Sequence, residues 1–503
     1  MILKDSTLFL LFTGAIIFTI VAAEIIRRLF HWPSESTRKL VHIFVGILVA
    51  STPFVLKSMW PMVIIGVSFT VIDYLAIRLG FLQGIHGTSR HTYGTVFYPI
   101  SFVVLTISLW QNHKLILVTS MLIMAISDAA AAVVGERVKN PIILHWGPEK
   151  KSVQGSISMF VVTFLIVAVC LGSAIHLAVL ALSPLYVLWI ALVVALIAMM
   201  SEAISAQGSD NLTVPLSSAF TLYFMLTEST VSSAYFTLAV GLSLLFGLIS
   251  YRLRFLDAGG SAALFLLGVL VFGVGSWAFT WPILTFFILS SILSKMGKRR
   301  KQKLETIFEK GSRRDAGQVL ANGGVAGLMV IFYYFTDQHF FYILYIASLA
   351  AVTADTWATE IGVMAKGKPV SILNFRPVPL GTSGGISVLG TSGAFIGALL
   401  LVVVGYFSSP HLSPRVLGLF DASIILAAGL LASPVDSFLG ATVQAQYQCP
   451  HCRKITEKRI HCADHQTTFV RGFRWINNDV VNAFCAFSSV LIVIIIARLL
   501  GRL

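Results

Sequence analysis

The stretch Ala354-Asp355-Thr356-Trp357-Ala358-Thr359-Glu360-Ile361-Gly362 (ADTWATEIG) sets two acids into a run otherwise fit for a membrane. An ionised carboxylate in or beside hydrocarbon is costly unless a cation or a polar cavity compensates it. The segment therefore reads as the end of a membrane helix that carries a functional acid. A second segment of the same type lies far upstream, Ser127-Asp128-Ala129-Ala130-Ala131-Ala132-Val133-Val134-Gly135. In both, Ser or Thr closely precedes the Asp, small residues follow, and a Gly stands seven positions after it. In both, a Gly/Ser-rich stretch comes roughly 25 to 30 residues later. One type of buried acidic site is expected to be built twice.

Composition agrees with a membrane setting. The chain has 503 residues, 56% of them hydrophobic and 12% charged, with mean hydropathy +0.86. Such a chain needs a bilayer as solvent. Long apolar blocks without period-two alternation predict helices and exclude a β-barrel. The expected fold is an all-α polytopic membrane protein of about sixteen transmembrane helices in two tandem modules. The first block, near 7–23, has no small-residue cleavage signature and reads as a retained span, with a prokaryotic inner membrane as the default location.

Basic residues sort by side. Arg27, Arg28, Arg38 and Lys39 follow the first span, Arg78 and Arg90 the third, and Lys139, Lys150 and Lys151 the fifth. Arg252 and Arg254 follow the ninth, and the densest run, Lys295 to Arg314, the eleventh. The alternate loops hold little beyond Lys57, Lys114 and Arg415. By the positive-inside rule the basic loops face the cytoplasm and both termini lie outside. The net charge of +14 suits anionic lipid headgroups or nucleotide phosphates. The basic run lacks the interleaved aromatics of a nucleic-acid surface, so no nucleic-acid partner is expected.

This topology collects the polar clusters on one face. Asp128 ends span five, and Lys150-Lys151-Ser152-Val153-Gln154-Gly155-Ser156 opens span six. Glu202, Asp210 and Asn211 lie between spans seven and eight. Later, Asp355 and Glu360 end span thirteen, Gly381-Thr382-Ser383-Gly384-Gly385 precedes span fourteen, and Asp436 ends span fifteen. Asp128 and Asp210 are 82 residues apart, Asp355 and Asp436 81. The near-equality predicts modules at 1–250 and 255–503. Carboxylates supply hard oxygen ligands for Mg²⁺, with Asp128, Asp210, Asp355 and Asp436 the candidates. A Lys beside Ser and Gly at a helix start suits phosphate. Phosphoryl transfer asks mainly for positioning and charge neutralisation, which these residue types provide. No Walker P-loop occurs.

At these residues the first module resembles the phytol kinase/dolichol kinase family of CTP-using membrane kinases. The resemblance rests on Arg38-Lys39 with His42, Ser127-Asp128 with Gly135, and Lys151-Ser152-x-x-Gly155-Ser156. Glu202-Ala203-Ile204-Ser205 and Asp210-Asn211-Leu212-Thr213-Val214-Pro215 complete it. It implies Asp128, Lys151, Glu202 and Asp210 as catalytic residues, with Arg38, Lys39, Ser152, Gly155 and Asn211 binding nucleotide. Many members carry Glu where this chain has Gln154, so Gln154 is no metal ligand here. Arg38, Lys39 and His42 have headgroup anchoring or a structural hydrogen bond as alternatives.

The second module is similar to the family that contains phytyl-phosphate kinase, of the DUF92 type. The matching strings are Arg313 to Gly324 (RRDAGQVLANGG), Ala354 to Gly362, and Val378 to Gly390 (VPLGTSGGISVLG). Asp436-Ser437-x-x-Gly440-Ala441 and Asn477-Asn478-Asp479-Val480-Val481-Asn482 complete them. This implies Arg313, Asp355, Glu360 and Asp436 as catalytic, with Asn322, Thr382, Ser383, Gly384, Asn478, Asp479 and Asn482 binding nucleotide. For the asparagines, helix-to-helix hydrogen bonding is the alternative.

Together the resemblances imply two successive phosphorylations, of an isoprenoid alcohol (phytol or geranylgeraniol type) and then of its monophosphate. CTP or another nucleoside triphosphate would be the donor, with Mg²⁺, at the cytoplasmic face among membrane lipids. A lipid-phosphate cytidylyltransferase or a repeat-built transporter shares some of these features.

Three of the five cysteines gather in Cys449-Pro450-His451-Cys452 and His461-Cys462-Ala463-Asp464-His465, a loop at 449–465 in the second module. On a reducing face this pattern suits a structural zinc ion. Cys449, Cys452, Cys462 and His465 are the expected ligands, His465 being preferred to His461 because it has room to turn back.

Overall fold

The computed structural model describes residues 5–79, 92–147, 149–296, 313–412, 416–462 and 465–502. Arg90, Arg415 and residues 297–312 of the basic run, used above to orient the chain, lie outside the described residues. Fifteen helices make up the described chain. They are α1 Asp5–Phe30, α2 Ser34–Val55, α3 Trp60–Leu79, α4 Gly94–Leu109, α5 Lys114–Arg137, α6 Val153–His176, α7 Pro184–Ile204 and α8 Asp210–Thr227. There follow α9 Thr230–Arg252, α10 Ala258–Lys295, α11 Ala316–Thr336, α12 Phe340–Gly362, α13 Val388–Ser408, α14 Leu419–Thr442 and α15 Asn478–Leu499. Thirteen are long and apolar enough to cross a membrane. The other two are α4, with 16 residues, and α8, with 18 and a polar first turn. The protein is an all-helical polytopic membrane protein.

The expected sixteen spans match these fifteen helices once α10, which holds two of them, is divided at its kink. The 38 residues of α10 are two apolar helices joined at a kink at Ser276. Ser276 has φ 64 and ψ −171, a conformation that stops helical hydrogen bonding and changes the course of the chain without a loop.

Polar residues mark where the apolar runs begin. Ser152, Ser183, Asp257, Ser387 and Asn477 each cap the helix that follows by accepting a main-chain N–H three residues on. Asp315 and Gln318 form a reciprocal capping box at the start of α11. These caps satisfy N–H groups that would otherwise be orphaned at the membrane edge.

The chain resolves into two compact units, Met1–Ala234 and Tyr235–Leu503, with the division inside α9. In the first, α5 and α7 are the most enclosed, with 67% of the most apolar window of each buried. Helix α6 packs against both, and α8 packs on α4, α5 and α7. In the second, α12 is the core helix. Every residue from Tyr345 through Ala354 is buried, against α13, α14, α11 and α15.

Short ribbons interrupt the helices where polar chemistry is needed. β1 (Ile143–Leu144) pairs antiparallel with β2 (Lys151–Ser152) just before α6. β3 (Val370–Ser371) pairs with β4 (Gly385–Ile386) just before α13. Between α14 and α15, β5 (Gln446–Gln448) lies between β6 (Ile455–Thr456) and β9 (Thr468–Arg471). A further ribbon there joins β7 (Ile460–His461) to β8 (His465–Gln466).

Candidate active sites

Asp128 follows a local departure from α-helical geometry. Residues Ile123–Ser127 form one π turn of α5, ending at Asp128. A π turn leaves a carbonyl to be satisfied from outside the helix, and such turns concentrate at functional sites. Here His42 of α2 donates from Nε2 to the Met124 carbonyl at 3.1 Å, with Tyr98 edge-on to its ring at 4.9 Å. Gly46 lets α2 come this close, since a Cβ there would overlap Ala125 Cβ. This hydrogen bond supports the turn that presents Asp128, and His42 also lines the cavity described below.

Lys151, on β2, is the central cation of the first site. Its Nζ lies 2.7 Å from Glu202 Oε1 and 3.5 Å from Asp210 Oδ2, and it also donates to the Glu202 carbonyl. Burial alone would lower the lysine, but the facing carboxylates of Glu202, Asp210 and Asp128 outweigh it and hold Lys151 above its ordinary value. Asp210, at the start of α8, accepts at Oδ1 from the main-chain and side-chain N–H of Asn211, at 3.0 and 3.2 Å. Gly208 makes this corner possible: its φ is +81, and a Cβ would run into the Gly94 backbone.

These groups line a cavity of ≈ 1150 Å³. Arg38, Lys39, Asp128, Lys151, Glu202 and Asp210 form its polar part, and Ile16, Val45, Ile65, Phe69 and Phe102 line its apolar part. Lys39 also pairs with Glu136 at 2.6 Å. Asp73 of α3 lines this cavity as well. Gln154 accepts from the Ile142 N–H at 3.2 Å, a ribbon contact away from any ligand role. Ser152 Oγ is the helix cap, receiving the Gly155 N–H at 3.1 Å.

In the second unit the acids of α12 and α14 meet. Asp355 and Asp436 are electrostatic neighbours of one another. Ser383, from the turn before α13, donates to Glu457 Oε1 at 3.0 Å, and Glu457 is an electrostatic neighbour of Asp436. Gly384, with φ +81, lays this turn across the end of α14, where a Cβ would stand 2.7 Å from the Ser437 carbonyl oxygen. Thr382 only closes the turn, donating to Pro379 O at 2.8 Å. From α15, Cys485 reaches Ala432 O at 3.5 Å and is an electrostatic neighbour of both aspartates. Asn478, Asp479 and Asn482 occupy the half-buried first turns of the same helix.

The two adjacent arginines before α11 lie in different surroundings. Arg313 is exposed, whereas Arg314 is drawn inward over Phe286 and faces Glu360 electrostatically. Burial pulls Arg314 down to about 10, opposed by Glu360. Asp315 caps α11, so its immediate neighbour Arg314 is pinned at the helix start. Glu360 in turn accepts from Ser294 at 2.6 Å. Asn322 donates to Gln318 O at 2.9 Å and lines a separate, mostly apolar cavity of ≈ 330 Å³ together with Arg314 and Gln318.

The two units share a backbone motif that the Asp-to-Gly spacing anticipates. In the first, a Cβ on Gly155 would stand 2.9 Å from the Ala131 carbonyl oxygen and 3.6 Å from Gly135 Cα. In the second, a Cβ on Gly390 would stand 2.8 Å from the Ala358 carbonyl oxygen and 3.4 Å from Gly362 Cα. Ala131 and Ala358 each lie three residues beyond the aspartate, and Ser152 and Ser387 cap the two facing helices identically. The side chains delivered to this frame differ, because Lys151 has no basic counterpart in the β3–β4 ribbon.

A third cluster is formed by Cys449, Cys452, His461 and Cys462, whose ligand atoms lie within 4.8 Å of one another, a set able to hold a metal ion. The expected fourth ligand, His465, is replaced by His461. Cys462 takes φ 48, which turns the chain so that adjacent residues 461 and 462 share the cluster. His465 instead directs Nδ1 at the Cys462 carbonyl, 2.8 Å away, and is exposed. The Cys452 and His451 amides help hold the Cys449 thiol down at about 6. Burial and the neighbouring thiols push Cys462 up to about 11.

Comparison with known proteins adds the family. Residues 241–490 match the model described as "Integral membrane protein DUF92". The chain is 31% identical over 240 residues to Protein PGR of Arabidopsis thaliana, covering 44% of this chain and 83% of that one. It is 33% identical over 216 residues to the phytol kinase of Synechocystis sp., covering 41% and 85%. Protein VTE6, chloroplastic, of Arabidopsis thaliana is 26% identical over 234 residues, covering 45% and 61%. No solved structure matches.

Proposed function

The chain belongs to the DUF92 family of integral membrane proteins and is a relative of phytol kinase, and from that premise we propose that it is a bifunctional isoprenoid lipid kinase. The first module, 1–250, phosphorylates an isoprenoid alcohol. The second, 255–503, phosphorylates the resulting monophosphate to the diphosphate. CTP, or another nucleoside triphosphate, is the donor in both, and the two sites face the cytoplasm.

The observation that carries this reading is the first cavity. One wall is apolar and formed by membrane helices; the other holds a buried Lys151 among Asp128, Glu202 and Asp210. A prenyl chain partitions along the first wall and brings its hydroxyl to the second. The donor set suits Mg²⁺: carboxylate oxygens, among them Glu202 Oε2, which is buried without a hydrogen-bond partner. When bound, the ion neutralises charge on the nucleotide phosphates. Lys151 places an ammonium where the transferred phosphoryl group gains charge, and Asn211 holds Asp210 in position. The N-terminal N–H groups of α6, fixed by Ser152, favour an anion at the same spot.

The second site repeats the helix–glycine–helix frame with a different lining. Asp355, Asp436 and Glu457 provide oxygens, Ser383 and the Gly381–Gly385 turn provide the phosphate-binding backbone, and Arg314 facing Glu360 adds a cation at the end of α12. The absence of a lysine on β3–β4 fits a substrate that already carries phosphate charge and another set of cations. Full-length protein in detergent, incubated with γ-labelled CTP or ATP and a panel of prenols, tests the reading. Labelled prenyl monophosphate and diphosphate are the expected products; release of pyrophosphate with a nucleotide left on the lipid would replace the kinase assignment by nucleotidyl transfer.

A further inference from the structure

Between α14 and α15 the second unit leaves the helical bundle and builds a small β layer from strands two to four residues long. Such strands bury little apolar surface, and a two-stranded ribbon is marginal in water. Small layers of this kind are commonly held by a metal or a disulfide. All five cysteines are free thiols.

The arrangement of the four ligands is that of a metal knuckle. Cys449 N donates to Lys454 O at 3.0 Å and Arg453 N to Cys449 O at 2.8 Å. They close a tight turn around Cys449 and Cys452, with Arg453 at φ 57. The second arm brings His461 Nδ1 to 3.0 Å from Cys462 Sγ and 3.5 Å from Cys452 Sγ. A tetrahedral ion with metal–ligand bonds of about 2.0–2.3 Å has ligand–ligand edges of roughly 3.3–3.8 Å, so the four atoms already stand near the corners such an ion requires. Cys449 is fully buried and His461 is 8% exposed, so the set converges inward.

We propose that Cys449, Cys452, His461 and Cys462 bind one zinc-class divalent ion, and that this ion clamps the β layer so that Glu457 stays on Ser383 beside the Asp355–Asp436 pair. Glu457 lies in the short link between β6 and β7, with Cys452 on one side of it and His461 on the other. The clamp therefore acts on the carboxylate through a short, doubly tethered stretch. The four metal ligands are positioning residues in this scheme, acting on the second site through Glu457. The metal site stands independently of the kinase reading, whereas the consequence for the second site rests on it.

The test uses the full-length protein purified in detergent without chelator. Metal analysis should find about one zinc per chain, lost in Cys452→Ser and in His461→Ala and retained in His465→Ala. Cobalt loading should give the strong visible absorption of tetrahedral thiolate coordination. Protein that takes up no metal even after reconstitution with Zn²⁺, or a His461→Ala variant that keeps its full complement while His465→Ala loses it, would overturn the site. For the clamp, trypsin should cut at Lys454, Lys458 and Arg459 about tenfold faster or more once the wild-type protein is stripped with chelator. Equal cutting rates would overturn it. In the second-step assay, Glu457→Gln and Cys452→Ser should raise the Mg²⁺ concentration for half-maximal rate alike, with no further rise when combined. Additive rises would separate the clamp from Glu457. The metal and trypsin measurements need no kinase activity, so failure of the functional reading and failure of the metal site are told apart.

Discussion

Lys151 and Glu202 form a buried ion pair, 2.7 Å between Nζ and Oε1, with side chains 12% and 10% exposed. Removing one member strands the other charge away from water, at a cost of about 3–5 kcal/mol. Lys151→Met should therefore lower the melting temperature of the detergent-solubilised protein and abolish phosphorylation of the alcohol. The double variant Lys151→Met/Glu202→Gln should recover much of the stability and none of the activity. Recovery of activity along with stability would make the pair structural only.

The glycine contacts are stricter than their small side chains suggest. A methyl on Gly155 meets the Ala131 carbonyl at 2.9 Å, and one on Gly390 meets the Ala358 carbonyl at 2.8 Å, both of them main-chain atoms that cannot swing away. Gly155→Ala and Gly390→Ala should each cost about 1–3 kcal/mol as overpacked sites. The first should lower alcohol phosphorylation and the second monophosphate phosphorylation, measured in separate assays. Equal loss of both reactions in both variants would deny that the motif is used once per step.

What could be read from the sequence was what periodicity and spacing encode. The apolar runs announced the helices, and the repeated Asp-to-Gly interval announced the Asp128 and Asp355 frames. Two spans are expected along α10, but the join at Ser276 itself has no such signal, because a serine between apolar runs leaves the hydropathy pattern continuous. The π turn before Asp128 depends on His42, which lies 82 residues away in sequence, and no local pattern reveals that pairing. Arg313 and Arg314 look alike in sequence until the Asp315 cap fixes which one points inward. His461 was passed over for His465 because the left-handed turn at Cys462 is a matter of φ, not of spacing. Glu457 belongs to a segment without periodicity, and only the fold carries it to Ser383.

Lys151 also fixes a pH expectation. Its folded-state value is raised, so the stabilisation from its ion pairs is complete below the ordinary lysine value of about 10.4 and is lost only as pH rises past the folded value. Thermal melts of the wild type compared with Lys151→Met should keep a constant difference up to at least about pH 9. A difference that shrinks as pH rises through this range would mean that Lys151 is not held charged by Glu202 and Asp210.

Arg314, rather than Arg313, faces Glu360. Arg314→Ala should reduce the second phosphorylation by about tenfold or more, the scale of one lost charge-assisted contact, while Arg313→Ala leaves it nearly unchanged. The reverse ranking, measured with supplied prenyl monophosphate, would return the role to Arg313.

The most direct test of the two-step account is product analysis of Asp128→Asn and Asp355→Asn in the full-length protein, with γ-labelled CTP and either prenol or prenyl monophosphate as acceptor. The account predicts that Asp128→Asn makes no monophosphate from alcohol yet still converts supplied monophosphate to diphosphate, and that Asp355→Asn accumulates monophosphate from alcohol. Loss of both reactions in either variant, with the protein still folded by its melting curve, would contradict the division of labour between the two units.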